Sequence, residues 1–121
     1  MKTDQFINLE TYRKSGAAVV TPVWFVERGD KRYVRTWVGA GKAKRLRNNP
    51  AARIQPCGRR GEPMGEWRSV NGRLLDSPQS LALAEDFRRK YGLMTRFFDV
   101  LNALRRAQWQ GIELTNVDAA I

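Results

Sequence analysis

The sequence has no histidine and a single cysteine. Without histidine there is no serine–histidine–acid triad, no cysteine–histidine dyad, no histidine-ligated zinc and no histidine-ligated haem. A lone cysteine cannot close an intramolecular disulfide, which excludes a cystine-stapled secreted scaffold. No apolar run approaches the roughly 18 residues that cross a bilayer. The opening residues, Met1-Lys2-Thr3-Asp4-Gln5, lack the apolar stretch of a signal peptide. These absences set the expectation of a soluble, cytoplasmic protein with no membrane partner. Paired acids are also missing: Glu85 and Asp86 are neighbours on an expected helix and point apart. Side-chain chemistry alone therefore makes no enzyme here, and any redox or transfer chemistry has to come from a cofactor.

What is present suits one domain over 1–121. Of the 121 residues, 42% are hydrophobic and 28% charged, an ordinary globular balance. The net charge of +10 is unevenly spread. Eleven bases (Arg28, Lys31, Arg32, Arg35, Lys42, Lys44, Arg45, Arg47, Arg53, Arg59, Arg60) share the 28–60 window with one acid, Asp30. Outside it, bases and acids cancel. Such a patch attracts a phosphorylated small molecule, nucleic acid or an acidic surface, or simply solvates the chain.

Hydrophobic periodicity gives the elements. Gln5–Tyr12 alternates, with Ile7, Leu9 and Thr11 on one parity, as a half-buried strand does. Ala17–Val26 is a near-continuous β-prone run, predicting a strand covered on both faces, with Pro22 marking a bulge or an unpaired edge. Arg28-Gly29-Asp30-Lys31 signals a hairpin into a strand at Arg32–Val38. A short helix at Lys42–Asn48, with Ala43 and Leu46 inward, stops at Asn49-Pro50. Strands follow at Ala51–Cys57 and Met64–Leu75, the latter bent at Gly72. Ser77-Pro78 starts a helix with Leu81, Ala84, Phe87 and Tyr91 as its stripe and Gly92 as its end. A second helix spans about Thr95 to Gln108, and Ile112–Val117 closes as a strand. Six short strands, an embedded helix and a helical hairpin before the last strand predict a mainly β, antiparallel barrel.

One constellation carries chemistry. In Thr36-Trp37-Val38-Gly39-Ala40-Gly41-Lys42-Ala43-Lys44-Arg45, a strand ends, two glycines allow close backbone approach, and a basic helix begins. Free amides at a helix start favour phosphate, Lys42, Lys44 and Arg45 add charge, and Thr36 adds a hydroxyl. An ordinary surface loop accounts for the same residues, and the spacing is not that of a Walker sequence. Thr21-Pro22-Val23-Trp24-Phe25 suits either a planar ligand or plain core. Trp37 and Trp67, beside basic residues, suit base stacking or packing. Cys57 ends an apolar strand and reads as a buried structural thiol.

The segment from Asn8 to Cys57 resembles the flavin-binding split-barrel family, the pyridoxamine 5′-phosphate oxidase-like superfamily, in its short FMN- or deazaflavin-dependent branch. The resemblance rests on Thr21–Phe25, Tyr33–Thr36, Gly41–Arg45, Asn49-Pro50, Pro56-Cys57, Arg60-Gly61, Gly65–Trp67 and Arg88–Gly92 in this order and spacing. It implies a six-stranded antiparallel split barrel that forms a homodimer with a cofactor at the subunit interface. By position, Thr36, Gly41 and Lys42 would hold the cofactor phosphate, with Lys44 and Arg45 adding field, and Thr21, Pro22, Val23 and Trp24 would lie along the ring or ribityl chain. The cofactor implied is FMN or the deazaflavin coenzyme F420, and the activity hydride transfer to or from a small organic substrate. Cofactor storage or sensing without turnover is the alternative, and nucleic-acid binding ranks behind both. Three departures stand out. Ala40 replaces the family's serine, Val20 replaces the oxidase branch's phosphate-binding arginine, and the chain ends soon after Val117. Oxidation of vitamin B6 is therefore not expected.

Overall fold

The computed structural model describes residues 6–37, 39–92 and 109–117. Along them run β1 Phe6–Tyr12, β2 Ala18–Trp24, β3 Val26–Arg28, β4 Lys31–Trp37, α1 Gly41–Asn48, β5 Ala51–Cys57, β6 Arg68–Leu74, α2 Ser77–Tyr91 and β7 Trp109–Asn116. All these strands join one sheet, in the order β2-β1-β5-β6-β7-β4-β3, and every neighbouring pair is antiparallel.

Connectivity forces the sheet to curl. Its two outermost strands, β2 and β3, are separated in sequence by Phe25 alone. In a flat sheet, strands six spacings apart lie roughly 29 Å from each other, at about 4.8 Å per spacing. Two residues of chain reach only ~7 Å. The edges therefore meet at Phe25, and the sheet becomes a curled half-barrel. Ile7, Leu9, Phe25, Val34, Ile54, Val70, Ile112 and Leu114 fill its interior. Helix α1 seals the barrel with Ala43 and Leu46, both buried. Helix α2 packs outside, where Leu83 and Phe87 meet Val26 and Leu75 beside Trp24, Tyr33 and Tyr91.

Several expectations change. The structure has seven strands where six were predicted, because Ala17–Val26 breaks at Phe25: β2 pairs with β1, and β3 pairs with β4. The run is not covered on both faces either. Strand β2 alternates between exposed and half-buried residues because it lies at the sheet's end. That position does meet the edge expectation for Pro22, whose missing N–H is tolerated in an outer strand. Conversely, β1 is buried on its polar parity too. Asn8 donates to the Gln55 side chain at 3.0 Å and to the Gly61 carbonyl at 2.9 Å, and Glu10 receives two hydrogen bonds from Arg53.

The strand expected over Met64–Leu75 is confined to Arg68–Leu74. At Gly72 a Cβ would lie 2.9 Å from Leu46 Cδ2, so the glycine makes room for α1. The cap of α2 is Asp76 rather than Ser77. Its carboxylate accepts from the Gln79 amide at 2.8 Å while the Gln79 side chain accepts from the Asp76 amide, a capping box. Leu81 is 69% exposed, and the buried stripe runs through Ser80, Leu83 and Phe87. Gly92 does end the helix, with φ of +65°. The second helix expected near Thr95–Gln108 lies outside the described residues. Among those described, no helix is long and apolar enough to cross a membrane.

Candidate functional site

The end of β2 contributes Pro22, Val23 and Trp24 to a cavity of about 250 Å³, whose remaining walls are Phe6, Arg35, Phe87 and Trp109. Local rules explain the lining. Phe6 lies opposite Trp24 in the β1–β2 register. Arg35 alternates with the interior residues Val34 and Thr36, so it projects from the outer face of β4, toward α2. There its Cζ lies 4.2 Å from the Trp109 ring centroid and 4.5 Å from that of Phe87. A guanidinium over two rings gains cation–π attraction that strengthens on desolvation.

Helix α2 also fixes the barrel's joint. The Trp24 and Tyr91 rings stack at 4.4 Å with 8° between planes. The Tyr91 hydroxyl accepts from the Phe25 amide at 2.9 Å and donates to its carbonyl at 2.7 Å, and Lys90 Nζ donates to the same carbonyl at 2.8 Å. Burial pushes the Tyr91 phenol well above its ordinary pKa, so it stays protonated and keeps both roles.

The expected phosphate group gathers elsewhere, at the start of α1. Ala40 caps that helix without a side-chain hydrogen bond, and the amides of a helix's first turn are suited to an anion. Lys42 is half-buried with no carboxylate partner among the described residues. Burial, and then the nearby Arg45 charge, lower its pKa. Gly41 lies against the Arg45 guanidinium: a Cβ there would come 2.7 Å from one of its nitrogens, so a larger residue would displace that side chain. Arg45 folds back there, and its Nε donates to Thr11 Oγ1 at 2.6 Å. Burial, then Arg13, lower the Arg45 pKa. Lys44 is exposed. Lys42, Arg45 and Arg13 thus form an electropositive cluster.

Pro22, Val23 and Trp24 come together at the cavity; Thr21 is half-buried opposite Leu9 and outside the lining. The cavity walls include none of Thr36, Gly41, Lys42, Lys44 and Arg45. Thr36 is buried on the opposite face of β4 from Arg35. Sequence reasoning missed Phe6, Arg35 and Trp109 as lining residues. Strict alternation along Lys31–Trp37 was the available signal, since it sets Tyr33 and Arg35 on one face and Val34 and Thr36 on the other.

The basic window is less available than its count suggests. Arg28 pairs with Asp86, Lys31 with Glu113, Arg32 with Glu27 and Arg53 with Glu10. Arg53 also lies 4.9 Å from the Trp67 ring centroid, occupying a tryptophan proposed for base stacking. Cys57 is buried, as expected, and no cluster among the described residues could hold a metal ion.

No protein-family model and no curated protein matches the chain. Solved structures do. HutZ, the haem storage protein from Vibrio cholerae, is 17% identical with a TM-score of 0.70, over 93% of this chain and 82% of its own. A Listeria innocua protein provisionally named a pyridoxamine 5′-phosphate oxidase is 12% identical with a TM-score of 0.66, over 93% and 84%. An F420 reductase is 15% identical with a TM-score of 0.64, over 96% and 89%. With its curled antiparallel sheet and outer helix, the chain has the split-barrel fold of the pyridoxamine 5′-phosphate oxidase-like proteins.

Proposed function

We propose that the chain binds FMN, or the deazaflavin coenzyme F420, between two copies of itself and moves a hydride between that cofactor and a small organic substrate. The observation that carries this reading is the apolar cavity on Pro22, Val23 and Trp24, the segment whose resemblance assigns it to the cofactor ring. Its aromatic walls suit a planar heterocycle. The uncapped start of α1 and the half-buried Lys42 are suited to a terminal phosphate. Lys42 would pair with it, Thr36 and the Gly41 backbone would donate to it, and Lys44 and Arg45 would add positive potential. The cofactor supplies the redox chemistry; the chain supplies binding, orientation and exclusion of water. The phosphate cluster is not in the cavity wall, and a second copy would complete the site. The exposed face of outer strand β2, with Ala18, Val20 and Pro22, offers apolar surface for that copy.

A storage or sensing role is the second reading, favoured by one observation: among the described residues, Arg35 is the only ionisable group in the cavity wall, and an arginine is a poor proton donor. The donor set speaks against haem. The chain has no histidine, Cys57 is buried, and the Tyr12, Tyr33 and Tyr91 hydroxyls are engaged with Glu10, Glu113 and Phe25. Loading the protein with each cofactor and adding reduced pyridine nucleotide, or for F420 a hydride-donating substrate, separates the readings. Reduction followed by reoxidation with an organic acceptor supports the oxidoreductase. A bound cofactor that none of these reduces supports storage.

A further inference from the structure

We propose that Thr11 is a positioning residue for the cofactor phosphate: its buried hydroxyl holds the Arg45 guanidinium over the start of α1, so that Arg45 grips the phosphate directly. Resting on the cofactor reading above, this makes the cluster selective for a phosphorylated ring. Alternation along β1 sends Thr11 to the barrel interior with Ile7 and Leu9, and all three are buried. A valine would fill that place with no polar group to satisfy. The hydroxyl that stands there accepts from Arg45 Nε at 2.6 Å. Arg45 follows Gly41 by four residues, on the same side of α1. Its Nη1 and Nη2 lie 2.7 and 3.6 Å from where a Gly41 Cβ would stand, so the guanidinium covers the first turn.

Arginine carries its N–H donors in a rigid planar fork. The bond to Thr11 engages the inner nitrogen, Nε, and the outer pair, Nη1 and Nη2, has the geometry that takes two phosphate oxygens in parallel. Fixing Nε also fixes the plane of the fork. Rotamer freedom is then given up on folding and not on binding, which favours affinity. Arg13 and Lys42 stand near enough to act on the same group: after burial, Arg13 lowers the Arg45 pKa and Arg45 lowers that of Lys42. Cations crowded together repel one another, and a bound dianion offsets that repulsion. Contacts to the ring are common to the phosphorylated and the phosphate-free cofactor and cancel from the ratio of their affinities. Thr11 and Arg45 therefore show in that ratio, whereas the cavity does not.

The test is a titration of the full chain with FMN and riboflavin, and with F420 and the same deazaflavin lacking its phosphate, followed by absorbance. In the pair that binds, the phosphorylated form is expected to bind more tightly. Arg45→Gln should lower the ratio of the two affinities by about tenfold or more, the loss of hydrogen bonds to a charged group. Thr11→Val should lower it by about threefold or more, as coupling between residues in contact allows. Thr11→Ser, which keeps the hydroxyl, should retain the ratio, and Thr11→Val should change it no further in the Arg45→Gln background. A threonine that only supports the fold would weaken both forms alike. Thr11→Ala removes the same hydroxyl where Thr11→Val does not fold. A ratio near one in the unaltered chain, or one that loss of the hydroxyl leaves unmoved, overturns this inference and leaves the cofactor reading standing. Failure of every form to bind overturns both.

Discussion

One hydroxyl, that of Tyr91, serves both backbone groups of Phe25, accepting from its amide and donating to its carbonyl. Phe25 is the residue at which the sheet's two outer strands are joined and ladder pairing stops. Buried backbone groups left without partners are costly, and α2 supplies what the sheet cannot.

Tyr91→Phe keeps the ring that stacks on Trp24 and removes only the hydroxyl. Lys90 still serves the carbonyl, so the lost interaction is the one to the buried Phe25 amide. Stability in urea should fall by ~1–3 kcal/mol. An unchanged midpoint would mean that the joint does not depend on this hydroxyl.

Two buried carboxylates predict acid sensitivity. Glu10 is held below its ordinary pKa of 4.5 first by hydrogen bonds from Arg53, against the opposing effect of burial, with Tyr12 helping. Glu113 is lowered first by Arg73, again against burial, with Tyr33 helping. Both folded values lie below the unfolded ones, so both contributions are present above pH 4.5 and are lost as pH falls through the depressed values. Urea midpoints measured across this range should decline on acidification, and a double Glu10→Gln, Glu113→Gln variant should show a shallower decline.

Gly72→Ala should overpack the contact with α1, because the new Cβ would sit 2.9 Å from Leu46 Cδ2. A loss of ~1–3 kcal/mol is expected. Leu46→Val should cost less in the Gly72→Ala background than alone, and a double-mutant cycle measures the difference. Strict additivity would place the two residues out of contact.

Lys42→Ala separates binding from folding. Cofactor affinity should weaken by ~1–3 kcal/mol, the usual loss for a charged hydrogen bond. The urea midpoint should not fall, since a half-buried lysine beside Arg45 with no carboxylate partner among the described residues contributes no ion pair to lose. Lys44→Ala, at an exposed position, should weaken binding less.

Local signals in the sequence were reliable where one face of an element dictates its pattern. Alternation located β1, the Arg28–Lys31 hairpin signal located β4, Gly92 marked the end of α2, and Ala43 with Leu46 marked the inner face of α1. What stayed hidden depends on residues far apart in the chain. Val23-Trp24-Phe25-Val26 is uniformly β-prone, and only the curl of the sheet breaks it. The first turns of α2 carry Leu81, Ala82, Leu83 and Ala84 in succession, so the sequence cannot set the helix's phase; packing against Val26 and Leu75 does. The cap at Asp76 was readable, since Gln79 stands three residues on, but Ser77-Pro78 offered an equally ordinary start. The basic window looked unopposed because Glu10, Asp86 and Glu113 reach it only through the fold. Resemblance singled out Pro22–Trp24, whereas Arg35 and Trp109 converge on the cavity from different strands.

The central claim is that the chain binds a flavin-type cofactor by ring and phosphate together. Its most direct test is an absorbance titration of the purified protein with FMN and then with the deazaflavin coenzyme, repeated on Lys42→Ala. The account predicts saturable binding of one of them at one site per subunit, with a Kd in the micromolar range or tighter and weaker binding by the variant. Binding of neither would contradict it and leave only the split-barrel fold in place.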